Sequence, residues 1–164
     1  MRIGKIPLTG SHIKIAQEIL KSQKEILTGT MLSIDPGSTS PGWALWMSGN
    51  LVTSGVIKTK STHKIAERLA TIHEFIEGLP QADFLAIEKI GMIRGGGKAQ
   101  AHRYLFWSLG AITAATRTKK IAEVPQNMWF KFRGREYSKG DEADAILIGR
   151  TALEVAKSQS YSSS

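Results

Sequence analysis

Residues 31–47 read MLSIDPGSTSPGWALWM, and this stretch decides how the chain folds. Leu32 and Ile34 are apolar and Asp35 closes their run. Pro36-Gly37 and Pro41-Gly42 then break the chain before Trp43, Leu45 and Trp46 open a second run. Proline fixes φ and glycine permits positive φ, so each Pro-Gly pair marks a turn. The expected local structure is strand, acidic turn, strand. A carboxylate at the end of a buried strand is costly unless its charge is compensated. Three roles are open to Asp35 from this stretch alone: metal ligand, general base, or cap of a plain turn.

Working outward, Gly49-Asn50 reads as a tight turn from the second strand into a third, Leu51–Ile57, which is a hairpin signature. Thr62–Glu77 carries Ile65, Leu69, Ile72 and Ile76 at helical spacing, and Gly78 and Pro80 end it. Its His63 and His73 read as surface or boundary residues. Phe84–Ile87 is a short apolar run that ends in Glu88, so the opening pattern of strand then carboxylate occurs twice. Residues 91–97, GMIRGGG, form a flexible loop. It is not a P-loop, because no Gly-Lys-Ser/Thr follows in register. Lys98–Thr116 reads as a helix apolar around much of its circumference, packed on the sheet and on a second subunit. His102 and Arg103 near its start read as surface residues that could face a ligand. Lys120–Val124 is a fifth strand, Met128–Phe132 a short segment carrying Trp129, and Asp141–Ala156 a last helix with Ala145, Ile148, Ala152 and Val155 inward.

Before the opening stretch, Ser11–Leu27 places Ile13, Ala16, Ile19, Leu20, Ile26 and Leu27 on one helical stripe, with Ser11 and Gly29 at its ends. The expected division is an N-terminal helical extension over 1–30, a main domain over 31–157 and a disordered low-complexity tail over 158–164. The order β-β-β-α-β-α-β-α implies an α/β fold: a mixed five-stranded sheet flanked by helices, with an extra N-terminal helix.

Composition narrows the function. The chain has 164 residues and no cysteine, which excludes disulfides and thiolate metal sites. No apolar run reaches membrane-span length, and no leader h-region is visible, so an intracellular protein of the cytoplasm or nucleoid is expected. The net charge is +8. Lys89–Lys139 holds eleven lysines and arginines against Glu123 and Glu136, so this segment carries +9 and the remainder sums to −1. Such concentration is the footprint of a nucleic-acid partner.

Four acids stand out: Asp35, Glu88, Asp141 and Asp144. Parallel neighbouring strands would bring the first two within about 5 Å of each other. Asp141 and Asp144 are three residues apart at a helix start and share a face, where the helix dipole favours negative charge. Carboxylates converging without cysteine or a histidine cluster suit hard cations, Mg²⁺ or Mn²⁺. Two such ions about 3.5–4 Å apart can activate water and stabilise the leaving oxygen in phosphodiester hydrolysis. Divalent ions would also reconcile an acidic cluster with a basic, phosphate-seeking domain. Each acid also has a structural role open to it: helix-start charge for Asp141 and Asp144, a lysine or arginine ion pair for Glu88.

IDPG at 34–37, AIEK at 86–89 and DEADAILIG at 141–149 resemble, in that order, the RuvC family of Holliday-junction resolvases, which is RNase H-like (retroviral integrase superfamily). The resemblance runs from about Met31 to Ala156. The VPQNMW segment and the Gly-rich loop look like the phage-encoded branch of that family. The resemblance implies a catalytic, metal-binding tetrad of Asp35, Glu88, Asp141 and Asp144 with two metal ions, a homodimer, and branched DNA as substrate. The chain departs from the family in three places. An extension precedes the first motif, and the segment between the fifth strand and the last helix is short. Gly91 stands where bacterial members carry an aromatic wedge, a role left to Met92 or Ile93, whose apolar side chains could unstack a base step. The expected DNA contacts are Lys89, Met92, Ile93, Arg94, Lys98, Arg103, Lys131, Arg133, Arg135 and Lys139. The alternatives are a non-catalytic junction-binding protein on the same fold, a nuclease for flaps, forks or RNA–DNA hybrids, and an actin-like nucleotide-binding fragment.

Overall fold

The computed structural model describes residues 2–3, 6–8, 10–91, 99–130 and 140–158. In chain order the elements are β1 (Arg2–Ile3), β2 (Ile6–Pro7), α1 (Ser11–Lys21), α2 (Gln23–Thr28), β3 (Thr30–Asp35), β4 (Gly42–Met47), β5 (Asn50–Val56) and α3 (Ile65–Glu77). They continue with β6 (Phe84–Glu88), α4 (Ala99–Thr116), β7 (Ile121–Val124), α5 (Gln126–Trp129) and α6 (Asp141–Ser158).

The five long strands form one mixed sheet in the order β5-β4-β3-β6-β7. β3 pairs antiparallel with β4, and β4 with β5. β6 lies parallel to both β3 and β7. The expected α/β fold with a mixed five-stranded sheet is therefore what forms. Successive strand residues face opposite sides of a sheet, and this alternation builds two cores. Met31, Ala44, Trp46, Phe84, Ala86, Ala122 and Val124 pack with α1, α2 and α6. Leu32, Ile34, Trp43, Leu45, Leu85 and Ile87 pack on the other face, with Ile72, Ile76, Ile112 and Ala115 of α3 and α4. Burying each of the larger aliphatic and phenyl side chains among them stabilises the fold by about 1.5–3 kcal/mol, and each alanine by less.

The N-terminal region differs in detail from the expected single helix. The helix breaks at Ser22, whose N–H bonds the Ile19 carbonyl, and a short α2 follows. The N-cap of α1 is Gly10, at φ 57°, rather than Ser11. Ile15 and His12 lie on its buried face beside Ala16 and Ile19. Ile15, Ala16 and Ile19 share a core with Ala122, Val124, Met128 and Trp129, so α1 covers one face of β7. A salt bridge from Lys120 to Glu25 fastens α2 near the start of β7. The hairpin between β4 and β5 turns on Ser48 and Gly49, both at positive φ, one residue earlier than the sequence reading placed it.

Candidate active site

Strand alternation decides where the acids point. Met31 belongs to the core on the α6 side, and Ser33 bonds the Ala145 carbonyl of α6, so Asp35, two residues on, faces α6 as well. On β6, Phe84 and Ala86 are on the same side, which puts Glu88 there. The parallel register ends at Ile34↔Ile87, so Asp35 and Glu88 are the next residues of neighbouring strands. Their carboxyl groups hydrogen-bond each other.

Helix α6 is held over these strand ends by two glycines and one buried hydroxyl. Gly42 lies directly across from Asp35 in the β3–β4 register. A Cβ on Gly42 would meet the Asp141 carbonyl oxygen at 1.8 Å, so only glycine lets the start of α6 approach here. Further along, a Cβ on Gly149 would lie 2.4 Å from Trp46 Nε1 and 2.5 Å from Ser33 Oγ. Between these points Trp46 Nε1 donates to Ser33 Oγ at 2.8 Å, and Ser33 Oγ donates to the Ala145 carbonyl at 2.8 Å. The next residue back from Ala145 is Asp144. The strand end, the glycine and the hydroxyl thus bring Asp141 and Asp144 to Asp35 and Glu88.

The electrostatics reflect this crowding. The Asp35 carboxyl is pushed up from an ordinary 3.8 to about 9. Burial is the main cause, followed by the hydrogen bond and charge of Glu88 and the charges of Asp144 and Asp141. Glu88 is also raised, chiefly by burial and further by Asp144, while the hydrogen bond with Asp35 opposes the rise. The pair therefore shares a proton near neutral pH. All four acids are felt at Asp35, yet among the described residues no three Asp, Glu or His side chains already enclose a point where an ion would sit. Asp141 instead accepts from Ser40 Oγ at 2.9 Å, and Asp35 and Glu88 engage each other. The donor set is nevertheless that of a hard cation: carboxylate oxygens, two of them on acids whose burial and mutual charge raise their affinity for protons.

Lys89 is exposed, and its backbone N–H bonds the Val124 carbonyl. It lines a groove of about 560 Å³ that Glu88 opens into, together with Ile90, His102, Leu105, Gln126 and Asn127. Arg103 is exposed on α4. Met92, Ile93, Arg94, Lys98, Lys131, Arg133, Arg135 and Lys139 lie outside the described residues, and so does most of the tail over 158–164. Sequence reasoning missed Ser33, Ser40, Gly42 and Gly149. The glycines carried a signal, since glycine inside a strand or helix often marks close approach of another backbone. His12 was missed too; its Nε2 lies 2.9 Å from Asn127 Oδ1 and ties α1 to the rim of the groove.

No protein-family model matches the chain. Over 77 residues it is 40% identical to the crossover junction endodeoxyribonuclease RuvC of Saccharophagus degradans, a match covering 42% of this chain and 44% of that protein. The match thus spans less than half the length of this curated relative. Among solved structures, T. thermophilus RuvC in complex with Holliday junction substrate superposes with a TM-score of 0.66 at 19% identity, covering 78% of this chain and 94% of that one. A further Thermus thermophilus RuvC structure gives 0.62 at 20% identity, over 78% and 95% of the two chains. The chain thus shares the RNase H-like fold of RuvC, as its three motifs indicated.

Proposed function

We propose that this protein is a structure-selective endodeoxyribonuclease, a Holliday-junction resolvase, that hydrolyses phosphodiester bonds in branched DNA. The observation that carries the reading is the meeting of Asp35, Glu88, Asp141 and Asp144 at one end of the sheet, on a fold shared with RuvC. The matched relative is named for crossover-junction cleavage, and one structural neighbour holds a Holliday junction.

In this reading the four carboxylates hold two Mg²⁺ or Mn²⁺ ions. When bound, such ions supply an activated water and stabilise the leaving oxygen. The chain's own part is to hold the ligands in place. The ends of β3 and β6 fix Asp35 and Glu88, and the Gly42 contact and the Ser33 bond fix the start of α6. To serve as a metal ligand, Asp35 would have to lose the proton that its raised carboxyl holds in the metal-free chain. Lys89 and Arg103, with the basic residues of 92–98 and 131–139, are the proposed phosphate contacts, which set register while branch shape supplies selectivity. The working unit is a homodimer, because a two-fold molecule suits a two-fold junction. Phe106 and Trp107, exposed on α4 at 49% and 45%, offer apolar surface to a second copy.

A cleavage panel tests this reading. Four-way, three-way, flap and RNA–DNA hybrid substrates are each incubated with the protein in Mg²⁺ or Mn²⁺. Preferred cutting of the four-way junction is expected, and junction binding without cleavage in either metal would contradict it.

A further inference from the structure

Arg68 is a cation that the fold buries without a counter-charge among the described residues. It is 9% exposed and lies in the first turns of α3. Its Nη1 donates to Thr39 Oγ1 at 3.1 Å and, at 3.5 Å, weakly to the Ser38 carbonyl. Its Nε is enclosed with no partner. Its guanidinium carbon lies 5.6 Å over the ring of Tyr104. Among the described residues no carboxylate pairs with it. A guanidinium has five N–H donors; the described residues take two at most, both at Nη1, and Nε is closed to a ligand from outside, which leaves Nη2 as the end that can meet one. Burying a charge with so few partners is costly. As a strut for Thr39 alone, a neutral amide would serve without that cost. The unused donors and unpaired charge call for an anion.

The place identifies the anion. Arg68 grips the loop 36–41, which begins at the residue after Asp35. The loop is fixed from several sides. Ser108 Oγ donates to the Gly37 carbonyl at 2.8 Å, Thr59 bonds the Thr39 carbonyl through its N–H at 3.0 Å and its hydroxyl at 2.7 Å, and Ser40 reaches Asp141. One short loop therefore separates Arg68 from the carboxylates. We propose that Arg68 binds a backbone phosphate of the DNA strand being cut, beside the scissile one, in concert with the Thr39 hydroxyl. The inference rests on the nuclease reading and adds a phosphate contact outside the basic segment Lys89–Lys139. Arginine suits it because its planar fork can hold Thr39 and a phosphate oxygen together.

The test is the salt dependence of four-way-junction binding in an Asp35→Asn background, which prevents cleavage. Each phosphate contact adds about 0.9 to the slope of log affinity against log salt. Adding Arg68→Gln is expected to lower the slope by about 0.9 and to weaken binding roughly tenfold. Adding Arg68→Lys is expected to keep the slope. An unchanged slope in a folded Arg68→Gln protein, whatever its affinity or melting temperature, would make Arg68 a structural strut and overturn the inference. Should Arg68→Gln fail to fold, single neutral methylphosphonate linkages around the scissile bond read the contact against the native Arg68. One neighbouring linkage must lower the slope by about 0.9, and the absence of any such linkage overturns the inference. Failure of the Asp35→Asn chain to bind junctions at all would instead overturn the nuclease reading, and this inference with it.

Discussion

Gly42 and Asp141 are packed so closely that a Cβ on the glycine would fall 1.8 Å from the aspartate's carbonyl oxygen and 2.7 Å from the Glu142 nitrogen. Both obstacles are backbone, so no side-chain rotation relieves the clash. Gly42 is also the antiparallel partner of Asp35. The contact therefore sets how near the start of α6 comes to the end of β3.

Gly42→Ala should shift α6 while leaving the sheet formed. Misplacing catalytic groups by about 1 Å can cost about 100-fold in rate. Junction cleavage is expected to fall by about that much, with junction binding far less affected. Parallel cleavage and binding assays check it. Wild-type cleavage by a folded Gly42→Ala protein would show that the close approach does not matter to the site.

Ser33 joins Trp46 to α6 through two buried hydrogen bonds. Ser33→Ala strands the indole N–H, while the Ala145 carbonyl loses only a second bond beside its place within α6, and an unsatisfied buried group costs about 1–3 kcal/mol. For a chain of this size each kcal/mol lowers the melting temperature by about 2–4 °C. A drop of roughly 2 °C or more is expected in a thermal melt. No drop would mean that the network adds nothing to the packing of α6.

The raised carboxyls predict how stability varies with pH. In the folded chain Asp35 keeps its proton to about pH 9, against an ordinary 3.8. Between those values the folded state binds more protons than the unfolded one, so the metal-free protein loses stability as pH rises through that window. Glu88, shifted the same way, adds to the trend. Metal-free protein should melt at least about 3 °C higher at pH 5 than at pH 8. Asp35→Asn should flatten the difference, and millimolar Mg²⁺ should stabilise the native chain more at pH 8 than at pH 5. Melts in chelator and in Mg²⁺ at both pH values decide this.

Much of this site could be read from the chain. Asp35 and Glu88 each end an apolar run, and buried strands ending in acids are rare without cause. Asp141 and Asp144 share a helix face by spacing alone, and α6 buries Ala145, Ile148, Ala152 and Val155 as their period requires. What the sequence hid has physical reasons. Gly42 follows proline, so its role in close packing was masked by its role in the turn. Arg68 falls three residues after Ile65 and four before Ile72, on the buried face of α3. Its charge argued for solvent, and the period argued correctly for burial. Ser22 breaks the N-terminal helix without a glycine or proline to announce it. No local signal could show that α1 covers β7, because that contact spans about a hundred residues of chain.

The central claim is that Asp35 belongs to a divalent-metal nuclease site, and one comparison tests it most directly. Native protein and Asp35→Asn are given a four-way junction in Mg²⁺, with cleavage and binding followed on the same samples. The account predicts that native protein cuts and that Asp35→Asn binds the junction as well or better while cutting at least about 1,000-fold more slowly, a loss of roughly 4 kcal/mol in transition-state stabilisation. Cleavage by Asp35→Asn at the native rate would contradict it.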